Sequence, residues 1–501
     1  MSLKLIFYTI GNLLICLAGT MLLPLGVVIY YHINFGETHN DLVAFVISAA
    51  ITLIIGLTLR LSLRARQEEL GIREGFAVVA LAWVTVALFG ALPYQLAGVF
   101  HIDGRSPWTA FSFCYFESMA GFSTTGATVL TEIEHLSHGM LFWRSFTHWL
   151  GGMGIVVLAV AILPMLGIGG MQLFRAEAPG PQTDRLTPRI AQTAKLLWGV
   201  YVLLTVLEVI LLMLGKMTLF DALCHTFGTM ATGGFSTKNA SIGHYNSVYI
   251  DMVICVFMFL AGTNFALHYR ALRGNLKAYF QDTEFKFYCT VIVVGITLIS
   301  WNTIRFQVDG QIPYDSMWTS LRYATFQVLS IITTTGYGTA DFEQWPALSQ
   351  FILVTLMFYG GCAGSTGGGM KQVRFLLLIK QSGAEIKRLI FPHALLRIRV
   401  NDQVVPREVM TNVLGFFFFF IGIFAIVTCI MATLGLDLVS AAGATIATMG
   451  NIGPGLGTVG PTDNYAHIHT AGKFVLSFCM LLGRLELYTV LILFSPNFWK
   501  G

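Results

Sequence analysis

Charged residues are scarce in this chain. Only 11% of its 501 residues are Asp, Glu, Lys or Arg, whereas 55% are hydrophobic, and a soluble domain usually carries about 25% charged residues. A soluble protein of this composition would expose large apolar patches to water. Apolar runs such as residues 5–31 and 412–434 are long enough to cross a bilayer, which takes roughly 20 residues per helix. The composition therefore excludes a soluble protein and predicts an integral membrane protein.

Paired cysteines and enzyme signatures are also missing. The eight cysteines are scattered singly, without a CxxC pair, so that apolar packing in the membrane is favoured over disulfides or a metal site. The sequence contains neither an HExxH nor a GxSxG motif, which leaves an intramembrane enzyme only as an alternative. We therefore expect no enzyme activity and no bound cofactor.

Hydropathy predicts ten membrane spans, with shorter and less apolar pieces between some of them. The spans are 5–31, 41–63, 76–99, 141–166, 192–215, 247–269, 285–304, 349–380, 412–434 and 471–495. The short pieces are 106–121, 218–231, 315–332 and 436–449. Because crossing takes roughly 20 residues, each short piece is predicted to be a re-entrant half-helix.

Lys and Arg residues are concentrated on one side of the predicted spans. The connections 60–74, 171–195, 270–288 and 370–407 hold 20 of the 30. The positive-inside rule places these connections, and with them both termini, in the cytoplasm. The opposite segments carry 13 acidic against 6 basic residues, and a negative outer vestibule would concentrate cations.

A glycine-containing stretch follows each short piece. The four stretches are STTGAT (123–128), ATGGFST (231–237), TTTGYGT (333–339) and ATMGNIG (447–453). Aligned on Gly126, Gly233, Gly336 and Gly450, they are 107, 103 and 114 residues apart. This near-constant spacing indicates an internal repeat. The predicted fold class is an all-α integral membrane protein with four pseudo-symmetric helix–pore loop–helix repeats around one pore, preceded by two further transmembrane helices.

Such stretches suit an ion filter. Backbone carbonyls can replace the hydration shell of potassium, and glycine permits the conformations that turn successive carbonyls inward. Irregular backbone at membrane depth is tolerated where it is buried in protein or lines a wet cavity. The partially negative end of the preceding helix also favours a cation. For any one stretch alone, close helix packing by small residues is the alternative.

With this repeat the chain resembles the Trk/Ktr/HKT superfamily of potassium transporters over essentially its whole length, and its two extra spans make it similar to the Trk-type membrane subunit. The resemblance implies that potassium is the transported ion and that the filter is built by one conserved glycine per loop and the carbonyls beside it. These residues are Thr124, Thr125, Gly126, Ala231, Thr232, Gly233, Thr334, Thr335, Gly336, Thr448, Met449, Gly450 and Asn451. Some members with serine in place of the first glycine prefer sodium, so Gly126 favours potassium. A sodium-preferring or sodium- or proton-coupled transporter of the same superfamily is the alternative.

The stretch GGCAGSTGGGMK (360–371) interrupts an apolar run. It is not a phosphate-binding loop, because Met370 stands between the last glycine and Lys371 and no strand precedes it. So many glycines should break the helix, and the exposed backbone must then line a cavity; a kink for close packing is the alternative. The resemblance implies a gate below the filter, formed by Gly360, Gly361, Gly364, Ser365, Thr366, Gly367, Gly368 and Gly369.

Arg484 is a charge inside the last predicted span, which is by default a functional feature. The resemblance implies that it belongs to the gate and projects towards the pore; a structural ion pair with another helix is the alternative. Glu486 should not meet it directly, since residues i and i+2 do not share a helical face.

The resemblance also implies the setting of the protein. It predicts a homodimer in the cytoplasmic (inner) membrane of a bacterium, regulated by a cytoplasmic nucleotide-binding subunit similar to TrkA. The basic segment 371–407 is expected to contact that subunit or membrane lipid, and no nucleic-acid partner is expected. The predicted units are 1–70 (two N-terminal helices), 71–170, 171–283, 284–407 (with the gating loop 360–369) and 408–501 (repeats one to four).

Overall fold

The computed structural model of the chain describes residues 2–37, 40–63, 71–100, 106–161, 186–308, 312–394, 396–401 and 403–500. Helices make up most of these residues, and the strands among them are a short antiparallel pair. The predicted all-α membrane fold is thereby confirmed. The predicted segment boundaries near residues 70 and 170, and most of the connection 171–195, lie outside the described residues.

Three helices form the N-terminal part of the fold: α1 (Leu3–Thr20), α2 (Leu22–Phe35) and α3 (Asp41–Ser62). Helix α1 lies along α3, and their backbones approach each other closely where Gly11 faces Gly56. A Cβ atom on either glycine would lie within 3.0 Å of the carbonyl oxygen of the other. Small residues that bring backbones together are the usual basis of helix packing in membranes.

Four helical units of related layout follow. The first contains α4 (Ile72–Gly90), α5 (Leu92–Leu96), α6 (Pro107–Phe122) and α7 (His138–Ala161). The second contains α8 (Leu186–Leu214), α9 (Leu219–Met230), α10 (Val248–Ala261) and α11 (Phe265–Leu272), followed by α12 (Lys277–Gln281). The third contains α13 (Thr283–Arg305), α14 (Met317–Ile332), α15 (Ala347–Met357) and α16 (Gln372–Ile390). The strands β1 (Arg399–Val400) and β2 (Gln403–Val404) precede the fourth, which contains α17 (Arg407–Thr433), α18 (Leu438–Met449), α19 (Thr470–Arg484), α20 (Leu487–Leu491) and α21 (Pro496–Trp499).

The four short helices α6, α9, α14 and α18 begin in the same way. Each is preceded by a Ser, Thr or Asp whose side chain accepts a hydrogen bond from an N–H of the first turn. A side-chain acceptor at this position satisfies one of the otherwise unpaired amides of a helix N-terminus. The capping residues are Ser106, Thr218, Ser316 and Asp437.

The long helices match the predicted spans, but some of the predicted spans are broken. Six described helices are long and apolar enough to cross a membrane, or up to eight if each of two bent pairs is one span. Helices α10 and α11 meet at 101°, and α19 meets Leu487–Phe494 at 117°. The predicted span 349–380 is interrupted between Met357 and Gln372. Irregular backbone at this depth must be buried in protein or face a cavity, so the residues around these breaks are candidates for a functional site.

Candidate functional site

The chain leaves each short helix through the same backbone conformation. The helices end at Ser123, Ala231, Thr333 and Gly450, all in right-handed helical geometry. The next residue has a positive φ in every case: 52° at Thr124, 55° at Thr232, 61° at Thr334 and 55° at Asn451. This conformation is strained for a residue with a side chain, at a cost of about 1–3 kcal/mol, and such strain concentrates at functional sites. Its fourfold recurrence marks the four loops as one structural feature.

The hydrogen bonds of the four loops follow one pattern. The second residue after each helix donates its N–H to a carbonyl five positions back in the helix, so the helix itself fixes the loop. The pairs are Thr125 to Ala120 (2.9 Å), Gly233 to Gly228 (2.8 Å), Thr335 to Ser330 (2.8 Å) and Ile452 to Ala447 (2.8 Å). A glycine with positive φ follows each donor: Gly126, Gly234, Gly336 and Gly453.

This geometry corrects the alignment predicted from sequence in two of the four loops. Gly126 and Gly336 are equivalent as predicted, but their counterparts are Gly234 instead of Gly233 and Gly453 instead of Gly450. Gly450 has a φ of −80° and caps the helix, and Thr448 and Met449 lie in its last turn. The carbonyl of Thr448 is already used by the N–H of Asn451. The fourth loop is therefore Asn451–Ile452–Gly453.

The four loops close into a ring. A Cβ atom on the positive-φ glycine of each loop would collide with a carbonyl oxygen of the next loop. In each case this carbonyl belongs to the residue that precedes the positive-φ glycine of the next loop. The contacts are Gly126 with Gly233, Gly234 with Thr335, Gly336 with Ile452 and Gly453 with Thr125. The last contact returns to the first loop. We call the twelve residues 124–126, 232–234, 334–336 and 451–453 the ring; its non-glycine members are fully buried.

The interrupted backbone of the third unit lies directly against the helix ends that carry the ring. We call residues 358–371 the intramembrane loop; most of its residues are buried. A Cβ atom on Gly367 would lie 3.2 Å from the carbonyl oxygen of Thr333, and one on Gly368 would lie 2.8 Å from that of Gly450. The Thr366 hydroxyl donates to the carbonyl of Met230 (3.0 Å). The loop thus contacts the ends of α9, α14 and α18.

Side chains from other elements hold the intramembrane loop in place. Oε1 of Glu284, in the first turn of α13, accepts the N–H groups of Ala363 (2.8 Å) and Val373 (3.0 Å). The hydroxyl of Thr334, a ring residue, accepts the N–H of Gly368 (2.6 Å). The loop is therefore tied both to a spanning helix and to the ring.

Arg484 is fully enclosed and bridges two units. Its Nη1 donates to the carbonyl of Thr366 (2.7 Å) and its Nη2 to that of Gly151 (3.1 Å). The chain bends directly after it, and Glu486 forms an ion pair with Arg374. The charged side chain is thus placed against the intramembrane loop, next to the predicted gate glycines.

Several residues of the site were not singled out from the sequence. Glu284, Gly234 and Gly453 belong to this group, and so does the buried ion pair of Arg144 with Glu117 behind the first loop (2.7 Å). A charge inside an apolar segment was the available signal for Arg144, since such charges are functional by default. Glu284 carries no such signal, because it stands at the end of a span next to a polar connection.

Four re-entrant loops that close one ring between membrane-crossing helices define a multi-pass membrane protein of the ion-transporter class. The sequence model of the family described as cation transport protein (TrkH) matches residues 42–500. The chain is 42% identical to the Trk system potassium uptake protein TrkH of Salmonella typhimurium over 497 residues, covering 98% of each chain. It is 35% identical to the Trk system potassium uptake protein TrkG of Escherichia coli K12, covering 96% of each.

A solved structure agrees with these relatives. The crystal structure of the potassium transporter TrkH from Vibrio parahaemolyticus covers 100% of both chains with a TM-score of 0.89 and 36% identity. The chain therefore belongs to the TrkH family of cation transport proteins.

Proposed function

We propose that this chain is the membrane subunit of a potassium uptake system and that potassium crosses the bacterial inner membrane through the ring. The observation that carries the proposal is the cyclic contact of four loops, each presenting the same carbonyl to its neighbour. Carbonyl rings are the known means of replacing the hydration shell of potassium. The names of the similar proteins, which are potassium uptake proteins, support the same ion.

In this proposal the ion is bound by backbone oxygens of the ring and not by an ionised side chain. The residues concerned are Thr124, Thr125, Thr232, Gly233, Thr334, Thr335, Asn451 and Ile452, with Gly126, Gly234, Gly336 and Gly453 permitting the turn. Glycine at position 126 supports potassium over sodium, because a serine there, as in the sodium-preferring members, would place its Cβ atom against the carbonyl oxygen of Gly233. That oxygen belongs to the ring, so the collision would displace one of the proposed ion ligands.

The intramembrane loop is the proposed gate. It lies against the helix ends below the ring and is held there by hydrogen bonds that can be broken without unfolding a helix. The fixed positive charge of Arg484 at this point opposes cation passage while the loop is closed. The family resemblance supports a homodimer that is regulated by a cytoplasmic nucleotide-binding subunit. The distribution of basic residues supports a cytoplasmic location for both termini.

Growth of a potassium-uptake-deficient bacterium tests this function. The full-length chain should restore growth at low external potassium, alone or with a co-expressed nucleotide-binding regulatory subunit. Absence of growth in both cases, with the chain present in the membrane, would overturn potassium uptake. Initial uptake of sodium and of potassium by the same cells is measured separately, and faster uptake of sodium would support the sodium-preferring alternative instead.

A further inference from the structure

Tyr337 is the tyrosine among the four residues that follow the ring glycines, and its side chain reaches from the third loop to the second. It directly follows Gly336 of the ring, and its side chain is only 1% exposed. Its hydroxyl donates to the carbonyl of His225 (2.8 Å), with the carbonyl of Phe235 at 3.3 Å. His225 lies in α9 and Phe235 follows Gly234, so both acceptors belong to the second loop and its helix. Tyr337 therefore spans the contact between loops two and three.

The corresponding residue of the other loops cannot do this. Ala127, Phe235 and Pro454 occupy the position after the ring glycine, and none of these side chains has a hydrogen-bond donor. The contact between loops two and three is thus held by a tyrosine side chain that has no equivalent at this position in the other loops.

A second tyrosine acts at the contact between loops four and one. The hydroxyl of Tyr465 donates to the carbonyl of Gly453 (2.6 Å), and its backbone N–H donates to the carbonyl of Thr128 (2.8 Å). The side chain is 2% exposed. Tyr465 comes from the segment after the fourth loop, so a different part of the chain supplies the same kind of brace.

Charged groups hold the remaining two contacts. Arg144 donates from Nε to Glu117 (2.7 Å) and from Nη1 to the carbonyl of Ser236 (2.8 Å), while Glu117 accepts the N–H of Val129 (2.9 Å); together they join loops one and two. Oε1 of Glu343 accepts the N–H of Gly457 (2.5 Å) and joins loops three and four. All four contacts of the ring are therefore braced by side chains that link one loop or its flanking residues to the next.

We propose that Tyr337 and Tyr465 are specificity-determining positioning residues, whose hydroxyls hold the ring at the spacing that distinguishes potassium from sodium. The proposal rests on the function proposed above. The number and placement of carbonyl oxygens decide which ion replaces its hydration shell at least cost. A ring contact that loses its brace can relax, and the oxygens then adapt to the smaller ion.

Removing one oxygen atom tests the proposal. Tyr337→Phe and Tyr465→Phe keep the buried aromatic side chain and delete only its hydroxyl. Initial uptake of potassium and of sodium is measured separately in liposomes that contain the full-length chain. Since one hydrogen bond is lost, the ratio of potassium to sodium uptake is expected to fall about two- to tenfold in each variant. Tyr249→Phe is the control, because its hydroxyl donates to the carbonyl of Leu211 (3.0 Å) between two helices away from the ring.

A lower ratio in both ring variants, with the control at the wild-type ratio, supports the proposal. An unchanged ratio in both tyrosine variants would overturn it. If the uptake of both ions falls by the same factor, the ratio is unchanged and the hydroxyls have a merely structural role. Failure of the wild-type chain to carry potassium would overturn the proposed function itself and is recognised without any variant.

Discussion

The ring and the intramembrane loop are both glycine-containing, irregular backbone buried among membrane-crossing helices, but their amides are satisfied in different ways. In the third loop of the ring, the N–H groups of Thr334, Thr335 and Gly336 all donate to carbonyls of the helix that leads into it. The intramembrane loop has internal hydrogen bonds, such as that from Gly360 to Met370, but it also relies on Glu284, on Thr334 and on carbonyls of other units. A backbone that carries its own acceptors keeps its shape, whereas one that borrows them is released when they withdraw. The first suits a filter and the second a gate.

The largest effect is expected in the ring, at the first glycine of TTTGYGT. Gly336→Ala would place a Cβ atom against the carbonyl of Ile452 and force alanine to a φ of 78°. The left-handed conformation alone costs roughly 1–2 kcal/mol, and the displaced carbonyl belongs to the ring. We expect potassium uptake to fall by more than about tenfold.

Gly338→Ala is the matched control for this change. Gly338 lies two residues further on, has no positive φ, and a Cβ atom there would meet no atom within 4 Å. Potassium uptake should therefore stay near the wild-type level. Equal damage from both substitutions would contradict the assignment of the ring to the first glycine alone.

Much of the fold was predictable from the sequence because its signals are local. Apolar runs longer than a bilayer crossing, Lys and Arg on alternate connections and a short piece before each glycine stretch together define the spans and the fourfold repeat. The broken third-unit helix was also expected, since GGCAGSTGGGMK cannot continue a helix cheaply. Its contacts were not, because the partner Glu284 stands 79 residues away from Ala363.

The register of the loops was the part that spacing could not determine. ATGGFST has two adjacent glycines, and ATMGNIG has two that are three residues apart, so that the shared spacing fits either choice. Which glycine takes a positive φ depends on where the preceding helix ends. Asn451 was the available signal, because asparagine tolerates the left-handed conformation and so marks the position equivalent to Thr124, Thr232 and Thr334.

An intermediate effect is expected from releasing the intramembrane loop from Glu284. Glu284→Ala would leave the N–H groups of Ala363 and Val373 without their acceptor in the closed position, at about 1–3 kcal/mol each. Opening the loop would expose them to water. Potassium uptake without a regulatory subunit is therefore expected to rise on the order of tenfold.

Glu284→Gln is the matched control, because its amide oxygen can still accept both hydrogen bonds. Uptake in this variant should stay closer to the wild-type level, as measured by potassium flux into liposomes. If Glu284→Ala instead lowered uptake with normal amounts of folded protein, the loop would be a structural support of the ring and the contrast with the ring would fail.

The smallest effect is expected where the two regions meet. Thr334→Val removes the hydroxyl that accepts the N–H of Gly368, while the similar volume of valine leaves the ring backbone in place. Thr232→Val is the matched change, because the hydroxyl of Thr232 bonds only to the neighbouring carbonyl of Ala231 (2.6 Å) among the described contacts. Both variants lose a ring hydroxyl, but only the first loses a contact with the intramembrane loop. Potassium flux in the absence of a regulatory subunit should therefore be about two- to tenfold higher in Thr334→Val than in Thr232→Val. Equal flux in the two variants would show that the intramembrane loop is held independently of the ring, since only Thr334→Val removes a hydrogen bond between them.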